Sequence, residues 1–525
     1  MRRDGSAIDP VTFDEFNCLQ QTGDFCQDQN IVLRPFVQAL PIPPIAQPVN
    51  ALNPPPDPKA HQQYEKYLPQ KLYEIHVQPF QHRFHPDLPP STIWGYNSIH
   101  PGATYQARYG EPILVRYYND LPLEGNDGFG KPEIITHLHN FHTASESDGF
   151  PGDFYPPGMY KDHHYAMALA GGNPDEALNT LWYHDHRVDF TSQNVYKGLA
   201  GFMEIFDERD SGDENDPNPN AFHLPSGDYD VPLVFIDRRF DATPDHQLYM
   251  DVFNLDGFLG NQYTVNGAIQ PYFNVARRKY RFRLLDAGPS RFYQFALSNG
   301  QQMTLIANDG NLLPAPINVD SVRVTVAERV DIVIDFSKVP IGSEIYLLNI
   351  MDQFNGKGPT GILMDPSAAP QLLKFVVDRD APDPSQIPQR MREVPTIDTS
   401  EIVQTRTFVF DNQQGAWTIN NEFFDFNRVS AVCKQGTAEK WILKNASFEW
   451  QHPIHIHLEE HQIVSRGGDP PPDYEQGRKD VTVLLPGQEV QVIMRFRDWL
   501  GRYPMHCHNT VHEDHAMMLR WDVEP

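Results

Sequence analysis

The sequence has few cysteines, no long apolar run and a shortage of positive charge. Its 525 residues include only four cysteines, which is too few for a disulfide framework. No apolar run approaches the ~20 residues that a membrane-spanning helix needs, so we expect no membrane span. With 42 basic against 69 acidic residues the formal net charge is −27, and such a surface repels nucleic acid. These absences exclude a disulfide scaffold, a helical membrane protein and a nucleic-acid-binding protein.

The four cysteines differ in their expected roles. Cys18 and Cys26 are close enough in sequence to form a disulfide, or they remain free thiols. Cys433 is expected to be a buried thiol. Cys507 lies between two histidines, which makes it a candidate metal ligand.

The N-terminus leaves the location of the protein open. MRRDGSAIDP contains an arginine pair but no apolar stretch behind it, so it does not form an intact signal peptide. We expect an exported protein (periplasmic, extracellular or spore-coat-like) if a leader is missing from this sequence, and a cytoplasmic one otherwise.

Prolines and glycines are frequent and spread along the chain, which limits long helices. The 47 prolines and 34 glycines separate short segments of roughly alternating polarity, a pattern typical of an all-β protein. We expect an irregular Pro-rich arm over residues 1–60, followed by three β units over residues 61–210, 211–385 and 386–525. One large irregular β domain is the alternative.

Many of the 22 histidines fall into four short clusters. On a strand, residues i and i+2 point to the same face, so each H-x-H pair can present two imidazoles to one cavity. One such pair is weak evidence, but four predict a metal site, because so many buried rings need partners. The clustered residues are His137 and His139; His184 and His186; His452, His455 and His457; and His506, His508 and His512.

The last cluster indicates which metal is bound. Cys507 faces away from its flanking histidines and can serve a different metal ion. It is followed by His512 and Met517. With an upstream histidine these residues give Cys, two His and an axial Met, the ligand set of a blue-copper centre. Met517 in the protein core, without a ligand role, is the alternative.

The four clusters, in this order, resemble the copper motifs of the multicopper oxidase family. Within it, the sequence is most similar to the branch of spore-coat laccases, bilirubin oxidases and phenoxazinone synthases. Further matching segments are SDGFP, WYHDH, NVYKGLAG, RRKYRFRLLDAG, DGNLLP, ERVDIVIDF and HEDHAMM. The resemblance covers nearly all of the chain beyond the N-terminal arm. It implies three consecutive cupredoxin-like Greek-key β-sandwich domains, the second of which would form part of the substrate-pocket wall.

The resemblance also implies four copper ions per chain and a set of ligands for each. Type 1 copper would take His452, Cys507, His512 and axial Met517; type 2 copper would take His137 and His455; the two type 3 coppers would take His139, His184 and His508, and His186, His457 and His506.

By the same resemblance the chain is a laccase-like oxidoreductase that couples one-electron oxidation of a small molecule to reduction of O2 to water. Phenols, aminophenols or bilirubin-like tetrapyrroles are the expected donors. A metal-ion oxidase acting on Cu(I), Mn(II) or Fe(II) is the alternative, and a non-catalytic copper carrier or store is a further one. We expect a monomer. Asp148 and Glu513 occupy positions where the family places acids near the copper cluster, so a proton-relay role is predicted; a turn-forming Asp and a solvated Glu are the alternatives.

Other residues near the motifs are not needed to complete any site. We expect these histidines to be surface, supporting or pocket-lining residues: His142, His163, His164, His461 and His515. Two departures from the family pattern are Asn140, where HLHG is common, and Asn509-Thr510, where apolar residues are usual. Polar groups near the cysteine sulfur tune a blue-copper potential.

Overall fold

A computed structural model describes residues 31–124, 128–413 and 415–525 of the chain. Cys18 and Cys26 lie outside the described residues, so their disulfide stays a prediction. Strands dominate the described residues, which confirms the all-β prediction. The helices are α1 (Ser145–Asp148), α2 (Thr191–Tyr196) and α3 (Thr510–Asp514), with 3-10 turns at Pro58–Ala60, Ala170–Gly172, Pro174–Glu176, Gly227–Tyr229, Thr399–Glu401 and Asp473–Glu475.

The first unit is a sandwich of two four-stranded sheets. Its strands are β1 (Lys71–His82), β2 (Ser91–Tyr96), β3 (Gly102–Arg108), β4 (Ile113–Asn119), β5 (Thr136–His139), β6 (Tyr160–Tyr165), β7 (Thr180–Asp185) and β8 (Ala200–Phe206). The sheet orders are β2-β1-β4-β6 and β3-β8-β7-β5. Every second residue of β1 from Tyr73 to Val77 is buried, and these side chains pack against Leu181 and Met203 of the facing sheet. Period-2 burial therefore builds this core.

The second unit pairs an eight-stranded sheet with a five-stranded one. Its strands are β9 (Asp230–Phe240), β10 (Leu248–Tyr249), β11 (Gln262–Val265), β12 (Ala268–Ile269), β13 (Tyr272–Ala276), β14 (Lys279–Asp286), β15 (Tyr293–Leu297), β16 (Met303–Asn308), β17 (Asn311–Val319), β18 (Ser321–Val324), β19 (Arg329–Asp335), β20 (Glu344–Asn349) and β21 (Gln371–Arg379). The sheet orders are β12-β11-β9-β14-β19-β16-β17, with β10 on β9, and β13-β21-β20-β15-β18. Alternating Tyr280, Phe282 and Leu284 of β14 fill the core between the sheets.

The third unit has sheets of six and five strands. Its strands are β22 (Ile402–Gln413), β23 (Ala416–Ile419), β24 (Val429–Lys434), β25 (Ala438–Asn445), β26 (His452–Ile456), β27 (His461–Arg466), β28 (Arg478–Lys479), β29 (Val481–Leu484), β30 (Glu489–Arg495), β31 (Gly501–Cys507) and β32 (Met518–Glu524). The sheet orders are β23-β22-β25-β30-β27-β28 and β24-β32-β31-β26-β29.

Each of these sheets takes its strands from one predicted unit, while the exact boundaries at residues 61, 211 and 386 remain predictions. A separate apolar cluster joins Trp182 of the first unit to Val234 and Ile236 of the second, so the two units share buried surface. The described part of the arm adds bridges from Ala39 to Tyr272 and from Ile45 to Thr104. No helix among the described residues is long and apolar enough to cross a membrane.

Candidate metal centres

Two pairs of antiparallel strands bring the H-x-H motifs together. In the first unit β5 pairs with β7, so that His137 lies opposite His184. In the third unit β26 pairs with β31, so that His455 lies opposite His506. Because side chains two residues apart share a face, each pair of strands presents its imidazoles to one side of its sheet.

The two sets of rings meet at the boundary between the first and third units. His137 stacks on His457 with ring centroids 3.9 Å apart, and His139 stacks on His455 at 3.7 Å. All eight rings are at most 1% exposed. The eight are His137, His139, His184, His186, His455, His457, His506 and His508.

Within this cluster the ring nitrogens form groups of the size that a metal ion needs. The Nε2 atoms of His186, His457 and His506 lie 3.2 Å from one another. Two further groups have ligand atoms that all lie within 4.8 Å: His137, His139 and His184; and His137, His455 and His457. The His508 ring centroid lies 5.1 Å from that of His139 and 5.4 Å from that of His184.

Four of the eight rings bind the protein through one nitrogen and leave the other without a hydrogen-bond partner. His139 Nε2 lies 2.9 Å from Asp480 Oδ1, and His184 Nδ1 donates to the Asp185 carbonyl. His455 Nδ1 donates to the Asp480 carbonyl at 3.0 Å. The buried nitrogens that lack a hydrogen-bond partner are His137 Nε2, His139 Nδ1, His184 Nε2, His186 Nδ1, His455 Nε2 and both nitrogens of His508. An outer partner that fixes each ring is the usual arrangement around metal-binding histidines.

Burial keeps the rings of His137 and His184 in the neutral form that binds metal. Burial lowers the pKa of His184 to about 3 and that of His137 well below its ordinary value. These two imidazoles are therefore neutral at pH 7, and a neutral imidazole is a metal ligand.

The two predicted acids, Asp148 and Glu513, lie beside the eight rings, as Asp480 does. Asp148 ends α1, and its Oδ2 accepts a hydrogen bond from His457 Nδ1 at 2.8 Å. Glu513, on α3, has its two carboxylate oxygens 3.2 Å from His186 Nδ1 and 3.1 Å from His506 Nδ1. Burial raises the pKa of the Asp148 carboxyl group well above its ordinary value. Neither residue is the solvated or purely turn-forming acid of the alternative interpretation.

A second centre lies within the third unit. Cys507 Sγ is 3.5 Å from His452 Nδ1 and 3.6 Å from His512 Nδ1, and these two nitrogens are 3.2 Å apart. Their outer nitrogens contact Ser447 Oγ and the Asp256 carbonyl. Both Nδ1 atoms therefore face the sulfur.

The surroundings of Cys507 suit a bound cation. Burial raises the pKa of its thiol well above the ordinary value, so a thiolate here needs a positive partner such as a metal ion. Met517 is fully buried in the same apolar cluster as Cys507. Trp417 covers His512, with ring centroids 4.0 Å apart.

Three family profiles, each described as multicopper oxidase, match residues 81–210, 242–363 and 395–525. The chain belongs to the multicopper oxidase family. It is a copper-dependent oxidoreductase of the laccase type that uses O2 and a small-molecule donor, and four coppers per chain are the family standard. The buried nitrogens without partners and the Cys507 thiol fit copper, because imidazole and thiolate are copper ligands.

Curated relatives match over most of their length. The chain is 33% identical to a bilirubin oxidase from Albifimbria verrucaria, covering 93% of this chain and 81% of that protein. It is 30% identical to a laccase from Bacillus subtilis, covering 94% and 99%. Among solved structures, McoA multicopper oxidase from Aquifex aeolicus has a TM-score of 0.76 at 25% identity, covering 93% and 99%. A laccase from Pediococcus acidilactici has the same TM-score at 24% identity, covering 94% and 96%, and supports the fold alone.

Five further histidines that lie near the motifs of this multicopper oxidase have other hydrogen-bond partners. His142 contacts Asp498 at 2.9 Å, and His461 contacts Thr482 Oγ1 at 2.6 Å. Ring nitrogens of His163, His164 and His515 contact main-chain carbonyls. All except the half-buried His515 are buried.

The two departures from the family pattern have structural explanations. Asn140 has φ of +72°, a conformation that favours Gly and that Asn tolerates better than most residues. Asn509 caps α3, and its Nδ2 lies 3.3 Å from His512 Nε2. Thr510 Oγ1 donates to Ser192 Oγ. Cys433 is a free, buried thiol, as predicted.

Several residues at the two centres were missed from the sequence. Asp480 contacts two of the clustered rings, Arg329 binds Asp480, and Asp256 and Trp417 cover His512. None of them belongs to a short motif with the histidines that it supports. Their roles depend on contacts between distant segments, such as His139 and Asp480, which are 341 residues apart.

Proposed function

We propose that this enzyme oxidises phenolic, aminophenolic or bilirubin-like donors one electron at a time and reduces O2 to water. One observation carries the proposal: two sets of buried, inward-facing ligand atoms are joined by the consecutive residues His506, Cys507 and His508. A carrier of single electrons would need only the set around Cys507. The eight-ring set is the feature that supports O2 reduction.

We assign the copper ligands as the family pattern implies. His452, Cys507, His512 and Met517 would hold type 1 copper, and His137 and His455 would hold type 2 copper. The type 3 pair would be held by His139, His184 and His508, and by His186, His457 and His506. When bound, the coppers supply one-electron acceptance at the first site and multi-electron reduction of O2 at the others.

The chain's own residues connect and enclose these sites. Cys507 and its two neighbours link the centres at the C-terminal end of β31, a path of two or three residues at ~3.3 Å each. The fully buried rings exclude bulk water from the larger centre. Both centres are formed by residues of a single chain, so we further propose that the enzyme acts as a monomer; light scattering that gives the mass of two or more chains would contradict this.

The loops over His512 favour an aromatic donor. One of these loops contains Asp256, whose main-chain carbonyl accepts a hydrogen bond from His512. A second loop contains Lys357, whose main-chain carbonyl accepts from the Gln451 N–H. The same loops, and the one that leads to Trp450, carry three exposed phenylalanines: Phe253 is 88%, Phe354 62% and Phe448 89% exposed. Exposed aromatic side chains offer stacking contacts to phenols and tetrapyrroles.

The test compares donors on the copper-loaded enzyme. We expect an intense blue absorption band, steady oxidation of a phenolic dye with O2 uptake, and faster turnover of the dye than of Fe(II), Mn(II) or Cu(I). Faster turnover of a metal ion would instead support the alternative metal-ion oxidase. A colourless copper-loaded protein would contradict the assignment of Cys507.

We propose that Asp148 and Glu513 hold and transfer protons at the edge of the eight-ring cluster. Their carboxylates lie beside the Nδ1 atoms of His457, His186 and His506. Asp148→Asn keeps the size of the side chain but removes the ionisable group. We expect O2 uptake to fall by about 100-fold or more and its pH profile to change, with copper content unchanged. Unchanged O2 turnover across pH would remove the role from Asp148.

A further inference from the structure

The second unit supplies none of the eight clustered rings among the described residues, yet it reaches the boundary where they meet. The turn between β16 and β17, Asp309-Gly310, projects from its larger sheet, and Arg329 begins the neighbouring strand β19. Asp309 and Arg329 are fully buried. We call Asp309, Gly310 and Arg329 the wedge.

The wedge contacts the first unit through its main chain. The Gly310 carbonyl accepts from Asn179 N–H at 2.8 Å, just before β7, the strand that carries His184. A Cβ atom added to Gly310 would lie 2.9 Å from the Thr180 carbonyl oxygen, and φ there is +83°. Asn140, directly after His139, donates to the Asp309 carbonyl at 2.6 Å. The turn is therefore seated against both histidine-bearing strands of the first unit.

The wedge contacts the third unit through charged side chains. Asp309 Oδ2 accepts from Val481 N–H at 3.1 Å and from Lys479 Nζ at 2.8 Å. Arg329 holds both carboxylate oxygens of Asp480, with Nη1 3.1 Å from Oδ1 and Nη2 2.5 Å from Oδ2. Arg329 Nε also donates to the Thr180 carbonyl of the first unit. One guanidinium group thus binds both histidine-bearing units.

Asp480 connects Arg329 to the rings of His139 and His455. Its side chain contacts His139 Nε2 of the first unit, and its carbonyl accepts from His455 Nδ1 of the third. The opposite nitrogens of these rings, His139 Nδ1 and His455 Nε2, are among those without a partner. A planar guanidinium bound at two points fixes the carboxylate plane and, through it, the direction in which the His139 nitrogen faces the cavity.

We propose that the wedge positions the copper-binding rings: Arg329, through Asp480, holds His139 and His455 at the orientation and separation that the type 2 and type 3 coppers require. These are positioning residues, since none of the three contacts a copper ligand directly. The inference rests on the ligand assignment made under the proposed function. It gives the second unit a role in assembling a site to which it contributes no histidine.

The test measures copper in Arg329→Lys and Arg329→Gln against a matched control. Arg392→Gln serves as the control, because Arg392 is also buried and joins two units through Asp207 and the Pro174 carbonyl, while its hydrogen bonds reach neither Asp480 nor a copper ligand. Each full-length protein is loaded with copper and challenged with a chelator. Copper per chain, the blue band, the type 2 signal in electron paramagnetic resonance and Tm are then recorded.

We expect Arg329→Gln to keep the blue band and to bind the type 2 and type 3 coppers about 10- to 100-fold more weakly, with an altered type 2 signal. Arg329→Lys keeps the charge but loses the two-point contact, so its affinity for these coppers should lie between those of the wild type and Arg329→Gln. If Arg329→Gln does not fold, the result for Arg329→Lys decides the test. Arg392→Gln should keep all four coppers.

Wild-type copper retention and signal in the Arg329 variants would overturn the proposal. Equal copper loss in Arg392→Gln would also overturn it, because the effect would then be general weakening of contacts between units. If the wild-type protein itself held no type 2 or type 3 copper, the proposed function would fail first, and the two failures are thereby distinguished.

Discussion

Cys507 and Cys433 are both fully buried thiols in the same apolar cluster, but only Cys507 faces two imidazoles. We expect Cys507→Ser to abolish the blue band and O2 uptake and to lower copper from four to three per chain, because a hydroxyl group cannot replace a thiolate ligand. Cys433→Ser makes the same chemical change away from any ligand atom, so it should keep both copper and colour. Visible spectra and copper analysis of the two variants test this prediction. A blue Cys507→Ser protein would place the copper elsewhere.

The buried side chain of His163 should make the folded protein less stable at low pH. Its Nδ1 donates to the Ser147 carbonyl, and burial lowers its pKa to about 3. The unfolded chain takes up a proton near pH 6.5 whereas the folded chain does not, so stability falls as pH drops from about 6.5 toward about 3, by roughly 1 kcal/mol per pH unit. His163→Asn should therefore lose less Tm than the wild type between pH 7 and pH 5, measured on copper-free protein. An equal loss of Tm in His163→Asn and the wild type would contradict this prediction.

At the scale of elements, α1 ends where β5 passes beneath it. Gly149 follows α1 with φ of +89°, and an added Cβ would lie 2.4 Å from the Thr136 carbonyl oxygen and 2.7 Å from His137 Cα. We expect Gly149→Ala to displace β5, weaken copper binding at His137 and lower Tm. Gly110→Ala is the matched control, because Gly110 has φ of +85° with no atom within 4 Å of the added Cβ. It should show only the ~1 kcal/mol of backbone strain. Similar copper loss in both variants would contradict the steric argument.

Strand geometry explains which elements of the site could be predicted from the sequence. The period of two residues places His137 with His139, and His506 with His508, on shared faces, so each motif predicts its own local arrangement. The pairing of β5 with β7 and of β26 with β31 is not visible in the motifs. Asp480 could not be recognised either, because an isolated acid before a short strand has no distinguishing neighbours.

At the scale of the whole molecule, composition and turn residues predicted three β units, and the structure has two sheets in each. The family resemblance implied that the histidine cluster lies between the first and third units. The contacts that join the units could not be predicted, because they join residues far apart in the chain. Examples are Arg329 with Asp480 and Asn140 with Asp309. The centre of eight rings exists only at this boundary, so its assembly is a property of the whole chain.

The most direct test of the central claim is the stoichiometry of donor to O2 for the copper-loaded enzyme. With a phenolic one-electron donor in an oxygen electrode, we expect four donor molecules to be oxidised for each O2 consumed, without release of hydrogen peroxide. Two donor molecules per O2 with peroxide accumulating, or no O2 uptake by a blue protein that holds four coppers, would contradict the function proposed for the eight-ring centre.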